Sequence, residues 1–487
     1  MSETNDTQEQ PKVEIVVKNF GPIAEANIDL RPLTVFVGPS NTGKTYFATL
    51  VYALQSMSNS IISSEQIIPF HSSMIFLLLN EIFNGQAIPE TELHKILRQL
   101  NNSEESYKYS DLPIEMRNRL HSIIKEHVNF KGQLEDELKN CFNLNSYSEI
   151  MRLDGEQDEH TILLKASIQN QEYWNYRICI TESKINIDTS NDQDMVIIPR
   201  KCSVVAELCN DNSILIKSMS VPNIRSMYYL PAARSGIMHS HRIIASSLVK
   251  QTTRVGIEQL PDIPTMSSVI ADFLERIILF EENSKPNGEM KNLANLLETS
   301  LLDGLILLKP SASGYPDFRY LPQGTNHEIR LSQASSMVSE LAPLVLYLRG
   351  YVKPGDTLII EEPEAHLHPG AQADMAVILV RLVRVGVKVI ITTHSDWLLQ
   401  EIGNLIRAGE LEKSGEEVSD LPTSLQTEEV GIWHFQKNGM VEEIPYNRID
   451  GIEPMEYLDV AEDLYNRSAR LQNRLEELKG EKKRESE

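Results

Sequence analysis

The sequence predicts an α/β fold in which helices flank a mixed sheet and a helical, then β-rich insert interrupts the fold. The motif GPSNTGKT at 38–45 directly follows the apolar segment LTVFV and opens a helical pattern. Apolar strand and helix patterns alternate across 335–395, which is typical of a parallel sheet with crossover helices. Between these regions, helical patterns at 60–150 give way to strand patterns.

Composition narrows the class of protein. The chain has 487 residues, of which 41% are hydrophobic and 24% are charged, as in ordinary soluble domains. A formal net charge of −23 disfavours nucleic acid as a partner, except through a local basic patch. The start MSETNDTQEQ lacks the features of a signal peptide, and no apolar run has the length of a membrane span. We therefore expect a soluble, cytoplasmic protein with no membrane partner.

The four cysteines show no spacing that indicates zinc or a disulfide framework. Cys141, Cys179, Cys202 and Cys209 form no CxxC pair, and no histidine cluster lies near them in the sequence. We expect reduced thiols.

The N-terminal half divides into three segments. Residues 1–10 are polar and predicted to be disordered, and 11–59 hold two β-rich segments, the motif and a helix that begins near Lys44. Residues 60–224 form the insert, in which helical patterns such as MIFLLLNEIF and TELHKILRQL precede the strand patterns TILLKASIQ, EYWNYRICI and SILIKSMSV.

The C-terminal half is predicted to complete the head and to end in a helix. Residues 225–460 contain the strand before PAARSG, helices between about 241 and 305, a hairpin, and the alternating strands and helices. Residues 461–487 form a charged helical tail with Leu471, Leu475 and Leu478 on one stripe.

The motif at 38–45 predicts a phosphate-binding loop. It matches G-x-x-x-x-G-K-[ST] in full, in the strand-to-helix context that the pattern requires. Glycines allow successive N–H groups to point at a phosphate, and the helix N-terminus adds partial positive charge. We expect Lys44 to reach the β- and γ-phosphates of ATP and Thr45 to ligate Mg²⁺. The eight loop residues are Gly38, Pro39, Ser40, Asn41, Thr42, Gly43, Lys44 and Thr45.

Two further strands end in ionisable side chains. TLIIEE ends in paired acids, of which we expect Glu361 to hold Mg²⁺ through its water shell and Glu362 to orient the attacking water. The alternative is a strand that ends in solvated glutamates. VIITTHS ends at His394, which we expect to contact the γ-phosphate, although a histidine after a strand is often structural.

These motifs resemble the ABC-type ATPases of the SMC and OLD groups. The resemblance rests on the phosphate loop, EEPEAHLHP and TTHS, and it covers about 10–60 and 225–460. In that family two heads dimerise and enclose ATP between the Walker motifs of one head and the signature loop of the other. The resemblance implies an ABC-type ATPase head that self-associates, with a D-loop from Glu364 to His368 along the interface. For His366 and His368, an ordinary surface loop is the alternative.

Two other segments resemble family motifs less completely. ASSMVSELAPL stands where the signature precedes the Walker B strand, which implies that Ser335 donates to the γ-phosphate of the facing head. A plain helix cap is the alternative, since Ser336 and Met337 replace the usual glycines. Arg234 in YYLPAARSG is expected either to reach a phosphate or an interface acid, or to form a structural ion pair. No glutamine of a Q-loop can be assigned.

The segment after His394 shows no pattern of a TOPRIM nuclease, and it contains no HNH, DxD or Cys/His pattern. The chain therefore resembles the stand-alone ATPase subunits of bacterial anti-phage systems of the PARIS or Septu type. This implies an ATP switch that controls a separate nuclease or toxin. One alternative is a DNA-repair or chromosome-associated ATPase, which the short, β-rich insert disfavours. Another is a nucleotide-binding scaffold without turnover, which Glu362 disfavours.

Overall fold

A computed structural model of the chain describes residues 12–63, 107–108, 130–152, 160–168, 171–181, 185–189, 196–197, 226–252, 266–281, 288–309, 316–416, 423–449, 451–452 and 455–484. The predicted helices MIFLLLNEIF and TELHKILRQL, the predicted strand SILIKSMSV and the thiols of Cys202 and Cys209 lie outside these residues. Cys141 and Cys179 are free cysteines.

The strands are β1 (Lys12–Phe20), β2 (Ile23–Leu30), β3 (Leu33–Val37), β4 (Tyr107–Lys108), β5 (His160–Ile168), β6 (Gln171–Ile180), β7 (Ile185–Thr189), β8 (Val196–Ile197), β9 (Met227–Leu230), β10 (Gly304–Lys309), β11 (Asp317–Pro322), β12 (Ile329–Arg330), β13 (Thr357–Glu361), β14 (Lys388–Thr393), β15 (Val430–Phe435) and β16 (Val441–Glu443). The helices are α1 (Lys44–Ser63), α2 (Phe130–Phe142), α3 (Arg234–Thr252), α4 (Ser268–Ile278), α5 (Gly288–Leu297), α6 (Ser336–Gly350), α7 (Pro369–Arg384), α8 (Asp396–Lys413) and α9 (Met455–Arg484).

The central sheet is mixed, with the strand order β16-β15-β3-β14-β13-β9. All neighbours pair in parallel except β15 and β16, which pair antiparallel. The register sets Val37 opposite Thr393 and Glu361 opposite Thr392. The ends of β3, β14 and β13 therefore meet at one edge of the sheet, and the predicted α/β fold class, a mixed sheet with the phosphate loop and flanking helices, is confirmed.

Both faces of this sheet are covered, which explains why its strands read as continuous apolar runs. Side chains alternate between two hydrophobic cores because successive residues of a strand point to opposite faces. Ile359 and Ile390 pack with α1 and the antiparallel strands, whereas Leu358, Ile360 and Val389 pack with α6, α7 and α8. Full burial of each such side chain contributes about 1.5–3 kcal/mol.

A second, antiparallel sheet has the order β2-β1-β5-β6-β7. Strand β1 pairs with β2 on one side, where Val13 lies opposite Leu30, and with β5 on the other, where Lys12 lies opposite Ser167. Strands β1 and β2 belong to the predicted segment 11–59, whereas β5, β6 and β7 belong to the predicted insert. One sheet therefore contains strands from both sides of residue 60.

The strands β10 and β11 pack on the face of the central sheet that α6, α7 and α8 cover, since Ile306 and Phe318 belong to that core. The predicted hairpin occurs as β10 and β11, to which β12 adds a third strand. Residues 461–484 of the predicted charged tail belong to α9, which begins at Met455. Leu471 and Leu475 are exposed on this helix. Within the described ranges, no helix combines the length and the apolarity that a membrane crossing needs.

Candidate active site

The loop between β3 and α1 requires its two glycines. Gly38 and Gly43 have φ angles of 135° and 106°, which side chains rarely adopt. A Cβ atom on Gly38 would lie 2.3 Å from the carbonyl oxygen of Phe435, and one on Gly43 would lie 2.7 Å from Cγ1 of Ile23. Asn41 has a φ of 66°, which asparagine tolerates better than most residues. Conformation and close packing therefore both maintain this loop.

The side chain of Lys44 folds back into the phosphate-binding loop. Its ammonium donates to the carbonyl oxygens of Gly38 and Pro39 at 2.7 and 2.6 Å, and the residue is only 6% exposed. Thr42 closes the loop by donating to the Pro39 oxygen at 2.9 Å, while Thr45 is exposed in the first turn of α1. A buried cation and a helix N-terminus at one loop fit a phosphate group.

Glu361 ends β13 with its carboxylate held by two donors. The hydroxyl of Tyr229 donates to Oε1, and the backbone N–H of Ala232 donates to Oε2 at 2.9 Å. Burial and the adjacent Glu361 charge raise the pKa of Tyr229, so its hydroxyl keeps the proton that it donates. Each carboxylate oxygen retains a further acceptor position, which fits a hydrated cation.

Glu362 has a left-handed backbone, with a φ of 43°. Such a conformation costs a non-glycine residue about 1–3 kcal/mol and persists only where the surroundings hold it. The Glu362 N–H donates to the oxygen of Thr392 at 2.9 Å, and its carbonyl oxygen accepts from Nη2 of Arg234 at 3.0 Å. The hydrogen bonds to Thr392 and Arg234 thus hold the Glu362 backbone, and with it the direction in which the half-buried side chain points.

His394 follows β14 and lies within electrostatic reach of Lys44 and Glu362. Burial lowers the pKa of His394, the Lys44 charge lowers it further, and Glu362 opposes both effects. The imidazole is therefore predominantly neutral at physiological pH and can still donate and accept hydrogen bonds. Three residues that the sequence singled out in separate segments come together here.

Glu364 ties the loop after β13 to the end of β14. Its Oε1 accepts from the Thr393 hydroxyl at 2.8 Å and from the His394 N–H at 2.7 Å. Its Oε2 is buried and has no hydrogen-bond partner among the described residues, and burial raises the pKa of this carboxyl group. Sequence analysis placed Glu364 in a D-loop but did not predict that it holds the backbone of His394.

Glu364→Gln is expected to flatten the pH dependence of stability. The pKa of Glu364 in the folded state lies above the unfolded value of 4.5, so the proton on this carboxyl group stabilises the folded wild type most below that pH. It loses this stabilisation as the pH rises through the raised pKa, whereas an amide has no charge to acquire. Melting temperatures between about pH 4 and 8 should therefore fall relative to the variant as pH rises. Parallel curves of melting temperature against pH for the wild type and the variant would show that Glu364 titrates equally in the folded and unfolded states. The control is Glu442→Gln, which replaces an exposed glutamate.

The two D-loop histidines lie on the surface. His366 has a φ of 63° and is exposed. His368 caps α7, since its Nδ1 accepts from the N–H of Ala371 at 3.3 Å. The surface position that sequence analysis left open is therefore observed, while the predicted interface role stays a prediction.

Ser335 caps α6 and is exposed. Its Oγ accepts from the N–H of Val338 at 3.4 Å, which leaves its own proton available for donation. The cap that sequence analysis weighed is therefore present. Donation to a phosphate on another head stays a prediction.

Arg234 forms the structural ion pair, one of the two alternatives that the sequence left open. The residue is 1% exposed, and its Nε lies 3.1 Å from Oε1 of Glu340. Sequence analysis missed Glu340, although a single acid inside the apolar helix pattern VSELAPLVLYL is the signal that could have indicated it.

A comparison with protein-family models matches residues 13–399 to the family described as AAA ATPase domain. A comparison with curated proteins gives no significant match.

Among solved structures, three SMC heads are similar to this chain. An SMC head bound to the C-terminal winged-helix domain of ScpA is 11% identical, with a TM-score of 0.38 over 89% of this chain and 96% of that one. The Pyrococcus furiosus SMC head with an extended coiled coil, bound to the C-terminal domain of ScpA, is 10% identical, with a TM-score of 0.38 over 94% and 100%. The SMC head domain of Thermotoga maritima is 9% identical, with a TM-score of 0.37 over 90% and 100%.

Proposed function

The chain belongs to the AAA ATPase domain family and is an ATPase, and from this premise we propose that it is a Mg²⁺-dependent switch driven by ATP. One observation carries the proposal: His394 lies within electrostatic reach of both Lys44 and Glu362 at the edge of the central sheet. A phosphate bound at Lys44 therefore meets a carboxylate and a neutral imidazole at the same edge.

The residues divide the chemistry between them. Lys44 and the loop N–H groups bind the β- and γ-phosphates, and Thr45 and Glu361 hold Mg²⁺, which neutralises phosphate charge when bound. Glu362 orients the attacking water and accepts its proton, a role that contributes about 10²- to 10⁴-fold in rate. His394 donates a hydrogen bond to the γ-phosphate, which a neutral imidazole can do.

We further propose that two heads enclose ATP, with Ser335 of one head completing the site of the other. The support is the exposure of Ser335 at the N-terminus of α6, where a hydroxyl proton and the helix dipole both favour an anion. Hydrolysis then requires a homodimer or a larger assembly, and ATP controls that assembly.

Mixing two inactive variants tests this arrangement. Lys44→Ala removes the cation from one head, and Ser335→Gly removes the hydroxyl at little cost to the helix cap. Each variant alone should turn ATP over slowly. A mixed dimer has one site with both defects and one intact site, so equal mixing should restore roughly a quarter of the wild-type sites by random pairing.

The control mixture contains Lys44→Ala and the double variant Lys44→Ala/Ser335→Gly, which cannot form an intact site. Steady-state phosphate release is measured for both mixtures and for each variant alone. If mixing the single variants restores nothing, Ser335 does not act across an interface.

The switch is proposed to control a separate nuclease or toxin in anti-phage defence. The support is the resemblance of the motifs to stand-alone ATPase subunits of such systems. The net charge of −23 disfavours the alternative, an ATPase that acts directly on DNA.

Affinity purification from the native host tests the effector. Tagged Glu362→Gln should hold the ATP-bound state, and tagged Lys44→Ala should not reach it. A nuclease or toxin that purifies with the first variant and not with the second would support the proposal. DNA or a repair exonuclease in the same comparison would favour the alternative, and identical partners for both variants would contradict ATP control.

A further inference from the structure

The buried guanidinium of Arg234 spans two elements of the site. Its Nη1 donates to the carbonyl oxygens of Glu361 and, at 3.3 Å, Pro231. Its Nη2 donates to the carbonyl oxygen of Glu362 at 3.0 Å, and its Nε donates to the carbonyl oxygen of Glu340 at 3.1 Å. One rigid fork therefore contacts the acidic end of β13 and the helix α6.

At β13 the fork holds the backbone from which the Glu362 side chain leaves. Glu362 keeps its left-handed φ of 43° between the Thr392 oxygen on one side and Arg234 on the other. Without Nη2 the peptide can relax toward an ordinary conformation, and the carboxylate would then change direction. A misplacement of about 1 Å can cost a reaction about 100-fold.

At α6 the same fork holds Glu340, which is 1% exposed and pairs with Nε. Ser335, the cap of this helix, lies about one and a half turns before Glu340. A helix turn moves as a unit, so a displacement of Ser335 reaches Arg234 through Glu340. Burial lowers the pKa of Arg234, while Glu340 and the neighbouring acids oppose this, so the pair is maintained by mutual charge compensation.

We propose that Arg234 is a positioning residue that couples α6, which presents Ser335, to the backbone of Glu362 in the same head. Engagement of Ser335 by a facing head is thereby communicated to the carboxylate that orients water. This coupling rests on the proposed function, in which heads associate around ATP.

Arg234→Lys tests the positioning part. Lysine keeps the charge beside Glu340, but its single ammonium cannot span the carbonyl oxygens of Glu340, Glu361 and Glu362 as the planar guanidinium does. We expect kcat to fall about 100-fold, with ATP affinity nearly unchanged. Glu340→Gln, which retains the backbone acceptor and removes the ion pair, is the second variant if Arg234→Lys fails to fold, and it should lower kcat in the same way.

The control is Arg349→Lys, at the other end of α6. Arg349 also pairs with a fully buried acid, Glu298, and donates to the oxygen of Ile306 at 2.7 Å. Its replacement should lower the melting temperature by a comparable amount while kcat stays near the wild-type value. A similar fall in kcat for both arginine variants would overturn the positioning role.

The coupling is read from ATP-dependent association in the Glu362→Gln background. Adding Arg234→Lys should weaken association about tenfold, whereas adding Arg349→Lys should not. If Glu362→Gln heads do not associate with one another in the presence of ATP, the proposed function fails. If they do associate, and adding Arg234→Lys leaves their association unchanged, the proposed function survives and the coupling is wrong.

Discussion

Lys44→Ala is expected to weaken ATP binding about 100-fold, because up to about 3 kcal/mol of charge-assisted hydrogen bonding to phosphate is lost. The ammonium already lies inside the loop, 2.7 Å from the Gly38 oxygen, so little reorganisation separates it from a bound phosphate. Isothermal titration with ATP and Mg²⁺ measures the effect directly.

Lys413→Ala provides the matched lysine control. Lys413 lies on α8 and forms an exposed pair with Glu428 at 3.3 Å, and such pairs contribute little. This variant should bind ATP as the wild type does. Equal affinity of Lys44→Ala and the wild type would remove the 38–45 loop from the nucleotide site.

Glu362→Gln is expected to lower turnover about 10²- to 10⁴-fold while ATP still binds. The amide keeps the size of the side chain and leaves the backbone contacts to Thr392 and Arg234 in place. It cannot accept the proton of the attacking water. Formation of ADP in a chemically quenched single turnover isolates this step from product release.

Glu442→Gln, an exposed substitution on β16, controls for the loss of one negative charge. It should hydrolyse ATP at the wild-type rate. Wild-type turnover in Glu362→Gln would mean that another group accepts the proton, and Glu361 would be the next residue to replace.

The elements around the site could be predicted because their signals are local. β13 and β14 are buried on both faces and therefore read as apolar runs, and the phosphate loop has a fixed glycine spacing that its φ angles require. The meeting of Glu362 and His394 follows from parallel strands that end at one edge, which the alternation of strands and helices indicates.

The contacts that orient the site could not be predicted, because they join residues that are distant in sequence. Tyr229 and Glu361 are 132 residues apart, and Arg234 and Glu340 are 106 apart. Both contacts depend on how distant elements pack; a one-residue shift of β9 against β13, for example, would turn the Tyr229 side chain to the opposite face of the sheet. The pairing of β1 with β5 across the predicted boundary at residue 60 could not be predicted either, because these strands are also distant in sequence.

ATP, and not ADP, is proposed to hold two heads together. Light scattering of Glu362→Gln with Mg²⁺ and either nucleotide measures the mass of the species in solution. We expect a dimer or larger assembly with ATP and a smaller species with ADP. The same mass with both nucleotides would contradict a switch operated by hydrolysis.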